Sequence, residues 1–277
     1  MCIRDSYVID YFTDEYMNGR TPNPCVLCNT HIKWESLLKR ADKLDCEFIA
    51  TGHYANINFD NNRYYISKGK DLNKDQSYAL WGISQKNLSR TIFPLGHLNK
   101  DEIRKIAQEW GYHNLVKKSE SYEICFVPDN NYRGFLKNRV KDLDKIVGKG
   151  NFIDTDGNII GTHEGYPFYT VGQRKGLGLA LGYPVYVTEI NSKENKVIIG
   201  TFDELKRNGM IVDKLNFMKY DKISGKIDAN TKIRYNDLGS PSIIEQIDDS
   251  IKVFFGSGVN AIAPGQAAVF YDNNDVI

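Results

Sequence analysis

Apolar and aromatic positions recur at helical spacing over residues 7–17, and Gly19 closes that run. Thr21-Pro22-Asn23-Pro24 is then a loop, because two prolines two residues apart cannot continue a helix. Ile32, Leu37, Leu38, Ala41 and Leu44 restore a helical period. Glu47-Phe48-Ile49-Ala50 reads as a short buried strand that ends at Thr51-Gly52-His53-Tyr54, with another strand near residues 63–67. Asn99 and Glu102 have capping-box spacing and open a helix with Ile103, Ile106, Ala107 and Trp110 on one face, stopped by Gly111. Up to about residue 126 the rhythm is α/β.

The rhythm then changes. Residues 131–150 carry six basic side chains against two acidic ones. From Phe152 onward the helical period fades. Asp156-Gly157 marks one hairpin, and a second joins residues 185–190 to 196–200. Short alternating runs at 210–212, 232–235, 243–247, 252–255 and 267–271, separated by turn residues, have the spacing of a small antiparallel barrel. The chain thus divides into 1–128, 129–207 and 208–277.

Composition narrows the class. The 277 residues hold 36 Lys+Arg and 35 Asp+Glu, for a net charge of +1, and are 41% hydrophobic, as in ordinary globular chains. Collagen-like and largely disordered classes are excluded. No apolar run approaches the roughly 20 residues that span a bilayer, so no membrane association is expected. The five cysteines, Cys2, Cys25, Cys28, Cys46 and Cys125, are too sparse for a secreted disulfide framework. Without a signal-like apolar stretch at the start, a cytoplasmic protein with reduced thiols is expected.

Several segments carry candidate chemistry. In Pro22-Asn23-Pro24-Cys25-Val26-Leu27-Cys28-Asn29, two cysteines sit at a helix entrance, where the dipole stabilises a thiolate. The bland alternative is two small buried residues. Cys125 lies in Ser121-Tyr122-Glu123-Ile124-Cys125-Phe126 between large apolar residues, as on a strand or strand end. Taken alone it reads as structural. With Cys25 and Cys28 it forms either a nucleophile and resolving pair or a three-thiolate site for an iron–sulfur cluster. Gly52 and His53 follow a strand where α/β sheets bind ligands, although an ordinary βα turn would look the same. Lys74-Asp75-Gln76-Ser77-Tyr78 is polar ahead of an apolar run. In Tyr169-Thr170-Val171-Gly172-Gln173-Arg174-Lys175-Gly176-Leu177-Gly178, glycines bracket cations that can meet phosphate. Kinase, zinc-protease and serine-hydrolase signatures are absent from the sequence.

Taken in order, these stretches, with Gly19-Arg20-Thr21 upstream and Ala263-Pro264-Gly265-Gln266-Ala267-Ala268 near the end, resemble the bacterial tRNA-specific 2-thiouridylases (the MnmA/TrmU family). The resemblance runs from about Tyr7 to the last residue. It implies an adenine-nucleotide α-hydrolase-like α/β domain, incomplete here, over 1–128. A small, mainly β, tRNA-contacting central domain over 129–207 and a C-terminal antiparallel β-barrel domain over 208–277 come after it. It implies ATP-dependent 2-thiolation of the wobble uridine (U34) in tRNAs for Lys, Glu and Gln, with Mg2+ accompanying the ATP. ATP adenylates the C2 oxygen, and a cysteine persulfide loaded by a sulfur-donor protein supplies the sulfur.

Residue by residue, the resemblance makes Cys125 the persulfide carrier. Cys28 becomes the partner nucleophile, which frees the sulfide or closes a disulfide with Cys125. Asn23, Pro24 and Cys25 would border the target base, and Gly52 would contact ATP. His53, Lys74, Asp75, Gln76, Arg234, Tyr235 and Gln266 would contact tRNA, and Arg174 and Lys175 would meet its phosphates.

Two departures qualify this. The family's Ser-Gly-Gly-x-Asp-Ser phosphate loop does not occur in the 277 residues, so Met1–Ser6 reads as unrelated sequence and little or no thiolation by this chain alone is expected. The end of the chain reads as just short of the family's last strand. Cys25 stands where many relatives have an acidic residue, which keeps a [4Fe-4S] cluster at Cys25, Cys28 and Cys125 as a variant of the same sulfurtransferase. A non-catalytic tRNA-binding module is the alternative from another class. A third reading is a structural domain with zinc at Cys25 and Cys28.

Overall fold

The computed structural model describes residues 5–116 and 124–277. Met1–Arg4, with Cys2, and the Ser121-Tyr122-Glu123 part of the Cys125 segment lie outside the described residues. The chain forms two compact units, each assembled from separated stretches. One holds Met1–Pro24, Ile124–Val212 and Lys252–Ala267; the other holds Cys25–Glu123, Asp213–Ile251 and Ala268–Ile277. Among the described residues no helix is long and apolar enough to cross a membrane.

In chain order the strands are β1 (Ile49–Ala50), β2 (Ala55–Asp60), β3 (Arg63–Lys68), β4 (Thr91–Ile92), β5 (Gly150–Ile153), β6 (Ile159–His163) and β7 (Tyr186–Asn191). They continue with β8 (Lys196–Gly200), β9 (Lys206–Val212), β10 (Lys226–Lys232), β11 (Ser240–Ile247), β12 (Ser250–Asn260), β13 (Val269–Asp272) and β14 (Asp275–Val276).

In the first unit the expected helix is present. A wider-wound stretch, Asp5–Asp10, leads into Tyr11–Met17. Phe12 and Tyr16, four apart and so on one face, are both buried. Phe12 meets Phe126 and Phe135 edge-on at 5.3 and 5.7 Å, and Tyr16 stacks on Tyr132 at 4.9 Å. This aromatic knot is continuous with the apolar face of a four-stranded sheet ordered β6-β5-β8-β7. Both expected hairpins, β5–β6 and β7–β8, are antiparallel, while β5 and β8 run parallel. Gly157 takes φ +90° in the first turn, a conformation that Gly adopts without a Cβ penalty.

In the second unit a continuous helix runs through Pro24–Leu27, Cys28–Ser36 and Leu37–Asp42. Its middle stretch is π-helical, and each such turn takes in an extra residue and rotates the helix beyond it. The buried stripe is Val26, Trp34, Leu38 and Ala41; Leu38 and Ala41 of the expected set are buried, Ile32 is half-buried, and Leu37 and Leu44 are exposed. β1 and β4 pair in parallel. The capping box at Asn99 and Glu102 is made in both directions. The Lys100–Glu109 helix that it opens buries none of its residues, and Trp110 is 74% exposed, so the expected apolar face does not pack into a core.

The same unit holds antiparallel strands ordered β2-β3-β14-β13-β10-β11. β2 was not anticipated. Its hairpin partner β3 comes after a two-residue turn, Asn61-Asn62, with both residues at positive φ, a geometry that Asn tolerates. β3 then pairs with β14, Asp275 opposite Ser67, which joins the hairpin to the C-terminal strands. The strand expected at 232–235 lies earlier, at β10. Asp237 accepts from the backbone N–H of Ile233 and of Gly239, and so turns the chain there. β9 and β12 are neighbours in the first unit.

Candidate functional site

Pro24 opens the cysteine-bearing helix, at a position where its missing N–H costs nothing. Cys25 is in the first turn and is exposed; Cys28 is half-buried one turn later. Asn29, buried, donates to the Ala79 carbonyl at 2.8 Å and fixes the helix against the 77–79 turn. Asn23 is half-buried on the preceding loop, and Pro24 itself is buried.

Gly52 is exposed just beyond the C-terminal end of β1, while the ring of His53 turns inward between Trp34 and Phe93. The Lys33 ammonium has only donors, so its 3.2 Å contact makes His53 Nε2 the acceptor. Nδ1 therefore carries the proton and donates to Thr51 Oγ1 at 2.8 Å. Burial, with the Lys33 charge second, pulls the imidazole down to about 4. The ring is neutral at pH 7 and supports the Gly52 turn from below.

The Lys74–Tyr78 segment closes on that turn. The Gln76 side chain accepts from Tyr54 N at 3.0 Å, and Gln76 N donates to the Tyr54 carbonyl at 2.9 Å. Asp75 is buried; its carboxylate accepts from Gly69 N, Ser77 N and Ser77 Oγ. Ser77 has one hydroxyl proton and gives it to Asp75 Oδ2 at 2.7 Å, so Tyr271 OH is the donor to Ser77 Oγ at 2.9 Å. Burial raises the Tyr271 phenol well above its ordinary range and keeps it a donor. Tyr78 meets the Tyr235 ring at 6.2 Å, and Lys232 Nζ lies 5.9 Å from the Tyr78 ring centroid. Arg234 and Tyr235 are exposed on the Asp237 turn. The second unit thus brings together three expected groups: Gly52-His53, Lys74-Asp75-Gln76 and Arg234-Tyr235.

In the first unit, Cys125 is exposed on a tight turn closed by Val127 N onto the Ile124 carbonyl at 2.9 Å, not on a strand. Ile124, Phe126 and Val127 pack into the aromatic knot and anchor the turn. Arg174 and Lys175 are exposed on the loop after Thr170. That loop is pinned by Gly172 N to Val187 O at 2.8 Å and by Val187 N to Gln173 O at 3.0 Å. Gln266 hydrogen-bonds the loop before Pro24. Most of the basic stretch is tied up internally: Arg133 donates to the Phe168 carbonyl, and Lys137, Arg139, Lys145 and Lys149 pair with Asp144, Asp10, Asp142 and Glu164. Exposed pairs of this kind are weak and exchangeable. Among the described residues no three or more His, Cys, Asp or Glu side chains form a metal-holding group.

The tRNA-specific 2-thiouridylase MnmA of Amoebophilus asiaticus is 67% identical over 98% of this chain and 72% of that protein. That of Cytophaga hutchinsonii is 64% identical over 98% of this chain and 74% of its own length, and that of Salinibacter ruber 53% identical over 98% and 72%. The chain belongs to the tRNA-specific 2-thiouridylase family. Three models agree with this 2-thiouridylase architecture. A tRNA methyl transferase HUP domain matches residues 4–129, a tRNA methyl transferase PRC-barrel domain 133–201, and an aminomethyltransferase beta-barrel domain 207–277. The 2-thiouridylase fold is therefore an α/β domain followed by a small β domain and a C-terminal β-barrel.

Sequence reasoning did not find Lys33 or Tyr271 as parts of the site, and it gave Thr51 and Ser77 no role of their own within the motifs that contain them. Lys33 comes four residues after Asn29 on the helix and so lay within reach of a face argument. Tyr271 lies 194 residues from Ser77, and no local pattern connects them.

Proposed function

We propose that this protein takes part in ATP-dependent 2-thiolation of the wobble uridine, U34, in the tRNAs for Lys, Glu and Gln, in the cytoplasm. The observation that carries the reading is the meeting of the Gly52 turn, the Lys74–Tyr78 segment and the Arg234–Tyr235 turn in one unit. Residues expected to face ATP and residues expected to face tRNA are thereby held together, the Gly52 turn and the Lys74–Tyr78 segment by hydrogen bonds and the Arg234–Tyr235 turn by a ring contact.

On this reading Gly52 approaches the nucleotide at the C-terminal edge of a parallel strand pair, and ATP enters with Mg2+. Lys74, Gln76, Arg174, Lys175, Arg234 and Tyr235 face tRNA, with His53 and Asp75 holding their segments from inside. Asn23, Pro24 and Cys25 border the target base. Adenylation of the C2 oxygen releases pyrophosphate and makes AMP the leaving group. The terminal sulfur of a Cys125 persulfide, loaded by a donor protein, then attacks C2. The Cys28 thiolate attacks Cys125 Sγ and breaks the persulfide S–S bond, either before the outer sulfur reaches C2, so that hydrosulfide is freed as the nucleophile, or after it, so that the sulfur stays on C2. On either route AMP leaves C2 and a Cys28–Cys125 disulfide forms.

The 277 residues hold no Ser-Gly-Gly-x-Asp-Ser phosphate loop, so on this reading they do not adenylate uridine unaided. The test is a thiolation assay on U34 tRNA with ATP and a persulfide donor, comparing this chain with one preceded by such a loop. Thiolation by the extended chain alone is expected. Tight tRNA binding with no thiolation by either favours a non-catalytic binding module. Iron retained through anaerobic purification would favour a cluster at Cys25, Cys28 and Cys125.

A further inference from the structure

Lys68 ends β3 and Lys232 ends β10, and β14 and β13 lie between those strands in the sheet. Lys68 is half-buried, and Lys232 is only 9% exposed. Lys68 Nζ lies 4.5 Å from the ring centroid of Tyr271, and Lys232 Nζ lies 5.9 Å from that of Tyr78; both rings are buried. A ring face attracts an ammonium but gives its N–H groups no oxygen. An ammonium has three donors and no acceptor. Among the described residues neither Nζ donates to an oxygen or joins an ion pair.

Carboxylates are near but already committed. Asp75 accepts from Gly69 N, Ser77 N and Ser77 Oγ, and Asp237 accepts from Ile233 N and Gly239 N. Both act on Lys232 through space only. Desolvation pulls the Lys232 ammonium below the ordinary lysine range; Asp75 opposes this, and the Lys68 charge adds to it. The fold thus balances the two cations at a distance and leaves their donors open. Enclosed donors without acceptors are costly, and neighbouring like charges repel. An anion held by both ammoniums removes both costs.

We propose that Lys68 and Lys232 act as a pair that holds one phosphate of the tRNA backbone, beside the Lys74–Tyr78 segment and the Arg234–Tyr235 turn. The inference rests on the proposed function, in which those two segments face tRNA. Placement favours tRNA over the nucleotide as the source of the phosphate. Lys232 is two residues before Arg234, and the Tyr78 ring beside it meets the Tyr235 ring. A phosphate only accepts, so it complements two groups that only donate. Such charge-assisted bonds are strong, and they fix the register of the RNA without reading its bases.

Lys68→Met and Lys232→Met keep each side chain long and remove its charge. Three readouts are taken on the single and double variants: tRNA affinity of the 277-residue chain over a salt series, ATP affinity of the loop-extended chain, and the urea midpoint. Expected is binding of different tRNAs weakened at least about fivefold by either change. The slope of log affinity against log salt should fall by about 0.9 in the double variant, the value for one phosphate. ATP affinity should stay within about twofold, since the nucleotide lies elsewhere on this reading. The urea midpoint should hold or rise, because a buried charge has been removed. A slope lower by about 1.8 would mean two separate phosphates and overturn the pair. Weakened ATP with tRNA affinity intact would give the pair to the nucleotide, and intact tRNA affinity with a lower urea midpoint would make it structural; either overturns the proposal. If the parent binds no tRNA, the functional reading fails and the tRNA assignment with it. Inorganic phosphate then decides the site itself. A melting temperature higher in phosphate than in chloride at equal ionic strength, in the parent but not in the double variant, keeps an anion site here, and no such rise removes it.

Discussion

Tyr271 OH donates to Ser77 Oγ at 2.9 Å across 194 residues of chain, and both side chains are fully buried. The bond ties the polar Lys74–Tyr78 segment to β13. Removing one partner of a buried hydrogen bond costs more when another group is left unsatisfied. Tyr271→Phe leaves Ser77 bonded to Asp75 and should cost about 1 kcal/mol of unfolding free energy. Ser77→Ala strands both Tyr271 OH and Asp75 Oδ2 and should cost roughly 1–3 kcal/mol. Urea unfolding of the two variants measures the order; Tyr271→Phe costing more than Ser77→Ala would contradict the donor assignment.

His53 makes stability depend on pH. Its folded-state value is about 4, against an ordinary 6.5, so the unfolded chain takes up the proton first as pH falls. Its contribution is fully present above pH 6.5 and is lost progressively between about 6.5 and 4, up to about 3 kcal/mol. Thermal unfolding of His53→Gln should lose that part of the slope. A parent and variant with identical slopes from pH 7 to 4.5 would refute the assignment.

The two cysteines on which the proposed chemistry depends should be separable from binding. Cys28→Ser and Cys125→Ser in the loop-extended chain are expected to abolish thiolation while leaving tRNA affinity within about twofold, since neither thiol neutralises phosphate. Mass spectrometry after incubation with a persulfide donor should find the added sulfur at Cys125. Loading at Cys28 alone would reverse the two roles.

Arg174 and Lys175 stand exposed on a loop pinned by the β7 backbone, so they can meet phosphate without disturbing the fold. Replacing both with Ala should weaken binding of different tRNAs alike and reduce the slope of log affinity against log salt by nearly 2. An unchanged slope would remove them from the interface.

Much of the local structure was legible from residue order. A helix entrance at the Cys25-Cys28 segment, the Asn99–Glu102 box and the two hairpins of residues 150–200 each depend on neighbours within a few positions; Pro24, read as loop, is the first residue of that helix. On the cysteine helix, Leu38 and Ala41 were placed on the buried face, but Leu37 and Leu44 were too and Trp34 was missed, because the π-helical stretch shifts the period from an ideal 3.6-residue spacing. Trp110 was placed on a packed face by periodicity alone, although an amphipathic pattern does not specify which surface, if any, covers it.

The sequence by itself determined the family and the order of its motifs, because those depend on residue identity and spacing. Only the tertiary structure decided how they are held. The inward turn of His53, the buried Asp75–Ser77–Tyr271 chain and the amide of Gln266 on Thr21 and Pro22 join positions that are neighbours only after packing. The reason is physical. A buried donor or acceptor must find a partner wherever the fold places one, and that partner's position in the chain is set by the path of the backbone rather than by any local period.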